Sequence, residues 1–239
     1  MNKLSSKTAL VTGGTKGIGY GIAEALIKEG VNVTITGRSL TKAEDAAKKL
    51  NDLGMGQALG LKSDVRNLID QQESVRESVK RFGSLDYVIA NAGLGHYAPI
   101  EELTDEQWRE TIDTNLTGVF YTIKSSVEEL KKSKGYFISI ASLAGTNFFA
   151  NGSAYNASKF GVVGFTQAVM LDLRQSDIKV STIMPGSVAS HFNNNEPGPK
   201  DDWKIQPEDI GELVVDLFKM DARSLPSKIE IRPSKPPQK

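Results

Sequence analysis

The sequence predicts a doubly wound α/β domain, with a seven-stranded parallel sheet and helices on both faces. Three observations predict it. Apolar runs of strand length alternate with helical patterns from end to end. Most of those runs are apolar on both faces, as strands buried between two helix layers must be. A glycine-rich turn joins the first strand to the first helix, where a parallel sheet makes its first crossover.

The elements follow in order. Thr8–Thr12 reads as a buried strand, and Gly17–Gly30 as a helix with Ile18, Ile22, Ala25 and Leu26 on one stripe. Val31–Thr36, rich in β-branched residues, is the second strand, and 41–53 is helical. A short strand near 58–61 precedes a helix over about 68–82, and 85–90 is the fourth strand. Residues 104–132 read as one long helix, opened by Thr104 as N-cap with Gln107 three residues on. The fifth strand, 136–141, a helix over 154–174 and the sixth strand, 179–184, follow. A helix over 207–220 with Pro207 in its first turn and a last strand at 228–231 complete the Rossmann-type pattern. The segment 190–204, rich in Asn, Asp, Pro and Gly, is followed by only 35 residues, too few for a second domain. It reads as a loop inside one domain.

Composition narrows the function classes. Of 239 residues 39% are hydrophobic, enough for a substantial core. Lys plus Arg equals Asp plus Glu at 29 each, so no basic field attracts nucleic acid. The chain has no cysteine, which excludes disulfides, thiolate metal sites and a Cys nucleophile. Met1–Lys7 is polar, no apolar segment of signal-peptide type follows it, and no apolar run approaches the ~20 residues of a membrane span. A cytoplasmic protein without nucleic-acid or membrane partners is expected.

The turn Thr12-Gly13-Gly14-Thr15-Lys16-Gly17-Ile18-Gly19 carries the first chemical signal. Glycines let the backbone approach a pyrophosphate, and the following helix N-terminus offers free N–H groups and a positive dipole end. A tight turn with no ligand is the plain alternative. An acid at the end of the second strand would bond the 2′-hydroxyl of NAD and repel a 2′-phosphate. The strand ends Thr36-Gly37-Arg38-Ser39 instead, and Lys16 can reach the same place. Two cations and no acid predict NADP(H). Asp64 and Val65, after the third strand, either edge the adenine or, in the case of Asp64, cap the next helix. Asn91, Ala92 and Gly93 end the fourth strand with residues small enough for a ribose to lie against them.

Ser142 follows the fifth strand, and Tyr155 and Lys159 are four residues apart on one helical face. An ammonium near a phenol favours phenolate, and a phenol so tuned can protonate an alkoxide as hydride arrives. A Tyr-x-x-x-Lys pair alone is more often ordinary helix surface. Ser142 with His96 or His191 could suggest a hydrolase, but no Gly-x-Ser-x-Gly elbow surrounds it.

Taken together, Thr12-Gly-x-x-x-Gly-Ile-Gly19, Asn91-Ala-Gly93, Asn115, Ser142, Tyr155-Asn-Ala-Ser-Lys159 and Pro185-Gly186 closely resemble the short-chain dehydrogenase/reductase family in order and spacing, over residues 7 to about 190. The resemblance implies that Tyr155 is the general acid in carbonyl reduction. It implies that Lys159 binds the nicotinamide ribose and lowers the Tyr155 pKa, and that Ser142 orients the carbonyl. Asn115 would hold a water linking Lys159 to solvent. Pro185 and Gly186 would admit the nicotinamide, and Val188 would bond its carboxamide through main-chain atoms. Ser190 stands where relatives usually carry Thr. The chain as a whole, 1–239, is then one NADP(H)-binding catalytic domain with a mobile substrate loop at about 187–206, acting on a small carbonyl/alcohol substrate. A 3-oxoacyl thioester is the nearest named candidate, and a small ketone or sugar-like alcohol the alternative. A non-catalytic NADP-binding regulator would have lost Tyr155 or Lys159. An epimerase or dehydratase with tightly held NAD would want an acid in place of Gly37-Arg38. Two features depart from reductases acting on acyl carrier protein: the tail from Ile229 to Lys239, and Ser176 where those proteins tend to carry arginine. The substrate wall is expected at 94–97, 143–149 and 187–203, with His96, Tyr97, Phe148, Phe149, Phe192 and Trp203 on it. The resemblance also implies a homodimer or homotetramer through the two long helices.

Overall fold

The structure, a computed structural model, describes residues 4–237. Met1–Lys3, part of the polar N-terminal segment, and Gln238–Lys239 of the tail lie outside the described residues. Strands β1 (Thr8–Val11), β2 (Asn32–Gly37), β3 (Ala58–Lys62), β4 (Tyr87–Ala90), β5 (Tyr136–Ile140), β6 (Lys179–Pro185) and β7 (Lys228–Ile231) form one sheet in the order β3-β2-β1-β4-β5-β6-β7. Every pairing is parallel. The helices are α1 (Gly17–Lys28), α2 (Leu40–Asn51), α3 (Leu68–Phe82), α4 (Asp105–Ile112), α5 (Gly118–Ser133), α6 (Ser153–Leu173) and α7 (Pro207–Lys219).

Strand alternation divides the core in two. Ala9 and Val11 of β1 point into one apolar cluster with Ile22 and Leu26 of α1, Ala47 of α2 and Val214 of α7. Leu10, between them, points the other way, toward Val75 of α3, Val119 and Ile123 of α5 and Val162 of α6. At the crossing of α1 and α7 a Cβ on Gly211 would lie 2.6 Å from the carbonyl oxygen of Gly21, so only glycine lets these helices approach so closely.

The connections wind one way from β1 through β3 and the other way from β4 onward. The reversal lies between β1 and β4, and it opens a crevice at the carboxyl ends of the strands.

The long helix expected at 104–132 forms with one interruption. Thr104 and Gln107 make the anticipated capping box. Between α4 and α5, however, residues 113–117 make a π-helical turn. One extra residue in that turn rotates Asn115 inward, a displacement that apolar periodicity does not register.

Candidate active site

A cleft of about 1390 Å³ runs along the carboxyl ends of β1, β2, β4, β5 and β6. One end of it is the β1–α1 turn. Gly13 and Gly17 have φ of +65° and +58°, a region that L side chains avoid. A Cβ on Gly13 would also lie 2.9 Å from the Ala92 Cα, so the turn and the end of β4 are in backbone contact. Thr12 fastens them: its Oγ1 accepts from the Asn91 and Ala92 amides at 3.0 and 3.2 Å. The Asn91 side chain donates back to the Thr12 and Gly13 carbonyls. Helix α1 has no side-chain cap and no acid in its first turn, so its N–H groups are not capped by a side chain. The residues present therefore fit a dinucleotide pyrophosphate at this turn.

At the other end of the cleft, Ser142 stands beside Tyr155, which is almost wholly buried. The Ser142 Oγ also accepts the Ala144 amide at 3.1 Å, which fixes its rotamer. Lys159 is fully buried and donates to the Ile140 carbonyl at 3.0 Å, with its Nζ 5.7 Å from the centre of the Tyr155 ring. Burial lowers the Lys159 ammonium to about 8. Burial likewise pushes the Tyr155 phenol well above its ordinary value; proximity to Tyr97 adds to the rise, and the Ser142 hydrogen bond opposes it. The expected lowering of the phenol by Lys159 is thus not a property of the protein alone. Desolvation dominates, and the ammonium is directed at the Ile140 carbonyl.

The Asn115 side chain ties the loop after β4 to α6. Its Oδ1 accepts the Leu94 amide at 2.9 Å, and its Nδ2 donates to the Leu94 carbonyl at 2.8 Å and to Ser158 Oγ at 3.0 Å. Both Nδ2 hydrogens are used in this clamp, and Oδ1 takes one amide donor. Ser158 in turn donates to the Tyr155 carbonyl at 2.8 Å, so the clamp reaches the turn that carries the phenol.

Most of the expected site residues converge. Gly13, Thr15, Lys16, Gly17, Ile18, Arg38, Asp64, Val65, Asn91, Ala92, Gly93, Ser142, Tyr155, Lys159, Pro185, Gly186 and Val188 all line the cleft. Gly19, Ser39 and Asn115 do not. Gly19 packs under the turn, where a Cβ would meet the Gly13 oxygen at 2.5 Å. Ser39 is the N-cap of α2, accepting from the Lys42 amide. The capping alternative for Asp64 fails, because Asn67 caps α3. Asp64 is instead gripped by the Arg66 guanidinium at 2.6 Å, which holds its carboxyl below the ordinary range. Ser190 accepts from the Phe192 amide within its own loop. Phe148 is 87% exposed and stands off the wall, while Tyr97, Phe149, Phe192 and Trp203 line it. Neither histidine serves Ser142: His96 Nε2 faces Glu110 at 2.8 Å and His191 Nε2 faces Glu196 at 3.6 Å.

Sequence reasoning gave no role to Arg66, Glu110 and Asn193, and quoted Thr12 and Asn156 only as parts of their motifs. Asn156 donates to the Ala144 and Asn147 carbonyls at 2.7 and 2.8 Å and holds the segment beside Ser142. Its place next to Tyr155 was the available signal. Asn193 accepts from the Gly95 amide at 3.1 Å, joining the 187–206 segment to the loop after β4. Contacts of that kind between distant loops leave no local pattern.

A glycine turn fit for a nucleotide, at the switch point of a parallel sheet, thus shares one cleft with Ser142, Tyr155 and a buried lysine. The short chain dehydrogenase family matches residues 7–200. An uncharacterized oxidoreductase of Staphylococcus saprophyticus is 31% identical over 98% of this chain and all of its own length. A putative ketoacyl reductase of Streptomyces coelicolor is 34% identical over 87% of this chain and 81% of its own. Among solved structures, an alcohol dehydrogenase from the archaeon Thermococcus sibiricus, complexed with 5-hydroxy-NADP, superposes with a TM-score of 0.90 at 28% identity, covering 98% and 99% of the two chains. The chain belongs to the short-chain dehydrogenase/reductase family and is an oxidoreductase of that family. No helix among the described residues is long and apolar enough to cross a membrane.

Proposed function

We propose that this chain reduces a ketone carbonyl to a secondary alcohol, reversibly, with NADP(H) as the hydride carrier. The observation that carries the reading is the gathering of Ser142 and Tyr155 beside buried Lys159, at one end of a cleft whose other end offers the glycine turn and Arg38. NADPH, when bound, would supply the hydride. Ser142 would donate a hydrogen bond to the substrate oxygen and hold it against Tyr155, which would give up the phenolic proton as charge develops there. Lys159, charged below about pH 8, would stabilise the phenolate left behind.

Support for NADP(H) comes from Arg38, exposed at the end of β2 with no acid beside it in sequence, and from Lys16 on the same cleft. Gly13, Thr15, Gly17 and Ile18 would hold the pyrophosphate. Val65, Asn91, Ala92 and Gly93 would flank the adenosine and ribose. Main-chain bonds at Ser187 and Ala189 pin the 187–206 segment to Ile205 and turn the Val188 amide and carbonyl to the opposite edge, where they would meet a carboxamide beside Pro185 and Gly186. The same segment would act as a lid, since Phe192 stands 5.7 Å from the Tyr155 ring.

The putative ketoacyl reductase among the relatives keeps a 3-oxoacyl thioester in view as substrate. Exposed apolar side chains on the outer helices, Trp108, Phe120, Phe160 and Leu171, support a homo-oligomer. The deciding experiment follows NADPH absorbance over a panel of ketones that includes an acetoacetyl thioester. Turnover with NADPH in preference to NADH is expected. Turnover equally fast after Tyr155→Phe would refute the mechanism.

A further inference from the structure

We infer that the substrate end of the cleft is built for an uncharged ketone bearing an aromatic ring. The inference rests on the reductase reading and adds the substrate class to it.

Two independent features lead there. The first is a run of rings. Tyr155 meets Tyr97 edge-on with ring centres 5.5 Å apart, and meets Phe192 on another flank at 5.7 Å. Tyr97 continues to Phe149 at 5.8 Å. Tyr155 is buried, but Tyr97, Phe149 and Phe192 each leave a third to a half of their surface open, and all three line the cleft. Large apolar side chains left open around a reacting hydroxyl call for an apolar occupant. Rings already in tilted and edge-on contact accept a further ring in the same geometry, which a flexible alkyl chain cannot reproduce.

The second feature is charge. Apart from Lys159, four side chains that can carry positive charge line this end of the cleft among the described residues, and each faces an acid. His96 has Glu110 at 2.8 Å, His191 has Glu196 at 3.6 Å, Lys204 has Asp201 at 2.7 Å and Arg232 has Glu230 at 2.9 Å. A substrate carboxylate would need an unpaired cation here, or would have to break one of these pairs and stand beside the displaced acid. A short keto acid is therefore disfavoured, and a neutral aryl ketone meets both conditions.

The test compares acetophenone with 2-octanone, an alkyl ketone of equal carbon count, and with 4-acetylbenzoate, its carboxylated counterpart. With NADPH and the whole protein, kcat/KM for acetophenone should exceed both by about tenfold or more, the scale of one or two ring contacts. Phe192→Leu keeps an apolar side chain at an open position and should bring acetophenone and 2-octanone to near parity, with the thermal midpoint unchanged. Equal or better turnover of 2-octanone or 4-acetylbenzoate would overturn the inference. Should no ketone be reduced, the reductase reading fails, and saturation-transfer NMR of the same three compounds on the NADP⁺-loaded protein decides the slot. Stronger contacts to acetophenone than to the others uphold it, and equal or weaker ones reject it.

Discussion

Glu110 Oε2 lies 2.8 Å from His96 Nε2, and its other carboxylate oxygen stands 3.9 Å from both the Arg38 and the Arg66 guanidiniums. One acid on α4 thus links a residue of the loop after β4 to the two arginines that follow β2 and β3. It also cancels part of the positive field that a 2′-phosphate would need. Glu110→Gln is expected to tighten NADPH binding a few-fold, more at low salt, and to leave NADH binding little changed. Equilibrium titration of nucleotide fluorescence checks it. Arg38→Asp should act in the opposite sense and move preference toward NADH.

Tyr155→Phe removes one hydroxyl and no ring contact. Turnover should fall by about 10²–10⁴-fold, the span of a lost general acid, while the thermal midpoint stays within a few degrees. Steady-state kinetics beside a melting curve separates loss of chemistry from loss of fold.

Lys159 sets a pH prediction with two arms. Its folded-state pKa, about 8, lies below its ordinary 10.5, so the folded protein binds fewer protons than the unfolded chain between those values. Stability should therefore rise with pH through that window. Below about pH 8 the full cost of burying the ammonium is present, about 3 kcal/mol. Lys159→Met should raise the melting temperature at neutral pH by several degrees and abolish most turnover. In the unsubstituted protein, reductase kcat/KM should decline above pH 8 as the ammonium is lost. A flat profile across that range would separate Lys159 from the chemistry.

Asn115→Ala leaves the Leu94 amide and carbonyl without their partner. A cost of about 2–3 kcal/mol in stability is expected from two buried backbone groups left unpaired. Leu94 and Tyr155 are both tied to the clamp, so kcat should fall as well. Denaturant unfolding and kinetics on the same sample measure the two effects.

Residues 187–206 should be cut more slowly by trypsin, at Lys200 and Lys204, when NADPH is present. Equal cleavage rates with and without the nucleotide would argue against a lid.

Much of the site was legible in the sequence because it rests on backbone constraints that write themselves into residue type. Gly13 and Gly17 are glycines because φ is positive there. Tyr155 and Lys159 share a face because a helix repeats every 3.6 residues. What escaped lies in contacts across the chain. The π turn at 113–117 is one residue out of phase with an otherwise regular helix, so Asn115 read as a helix residue rather than as a clamp on Leu94. Glu110 carries no signal in the sequence, since nothing local announces that His96, Arg38 and Arg66 gather around it. The phenol's burial was illegible for a related reason: spacing places Lys159 near Tyr155, but only the fold reveals how dry both groups are.

The parallel bridge between Val188 and Ile205 has an engineering consequence. It cinches both ends of the intervening stretch, so that stretch departs from and returns to nearly one point on the scaffold. Grafting a different length or composition between those ends would leave the strands, the glycine turn and the hydroxyl pair where they are. What the enzyme admits and how it handles hydrogen are thereby separable traits, open to change one at a time.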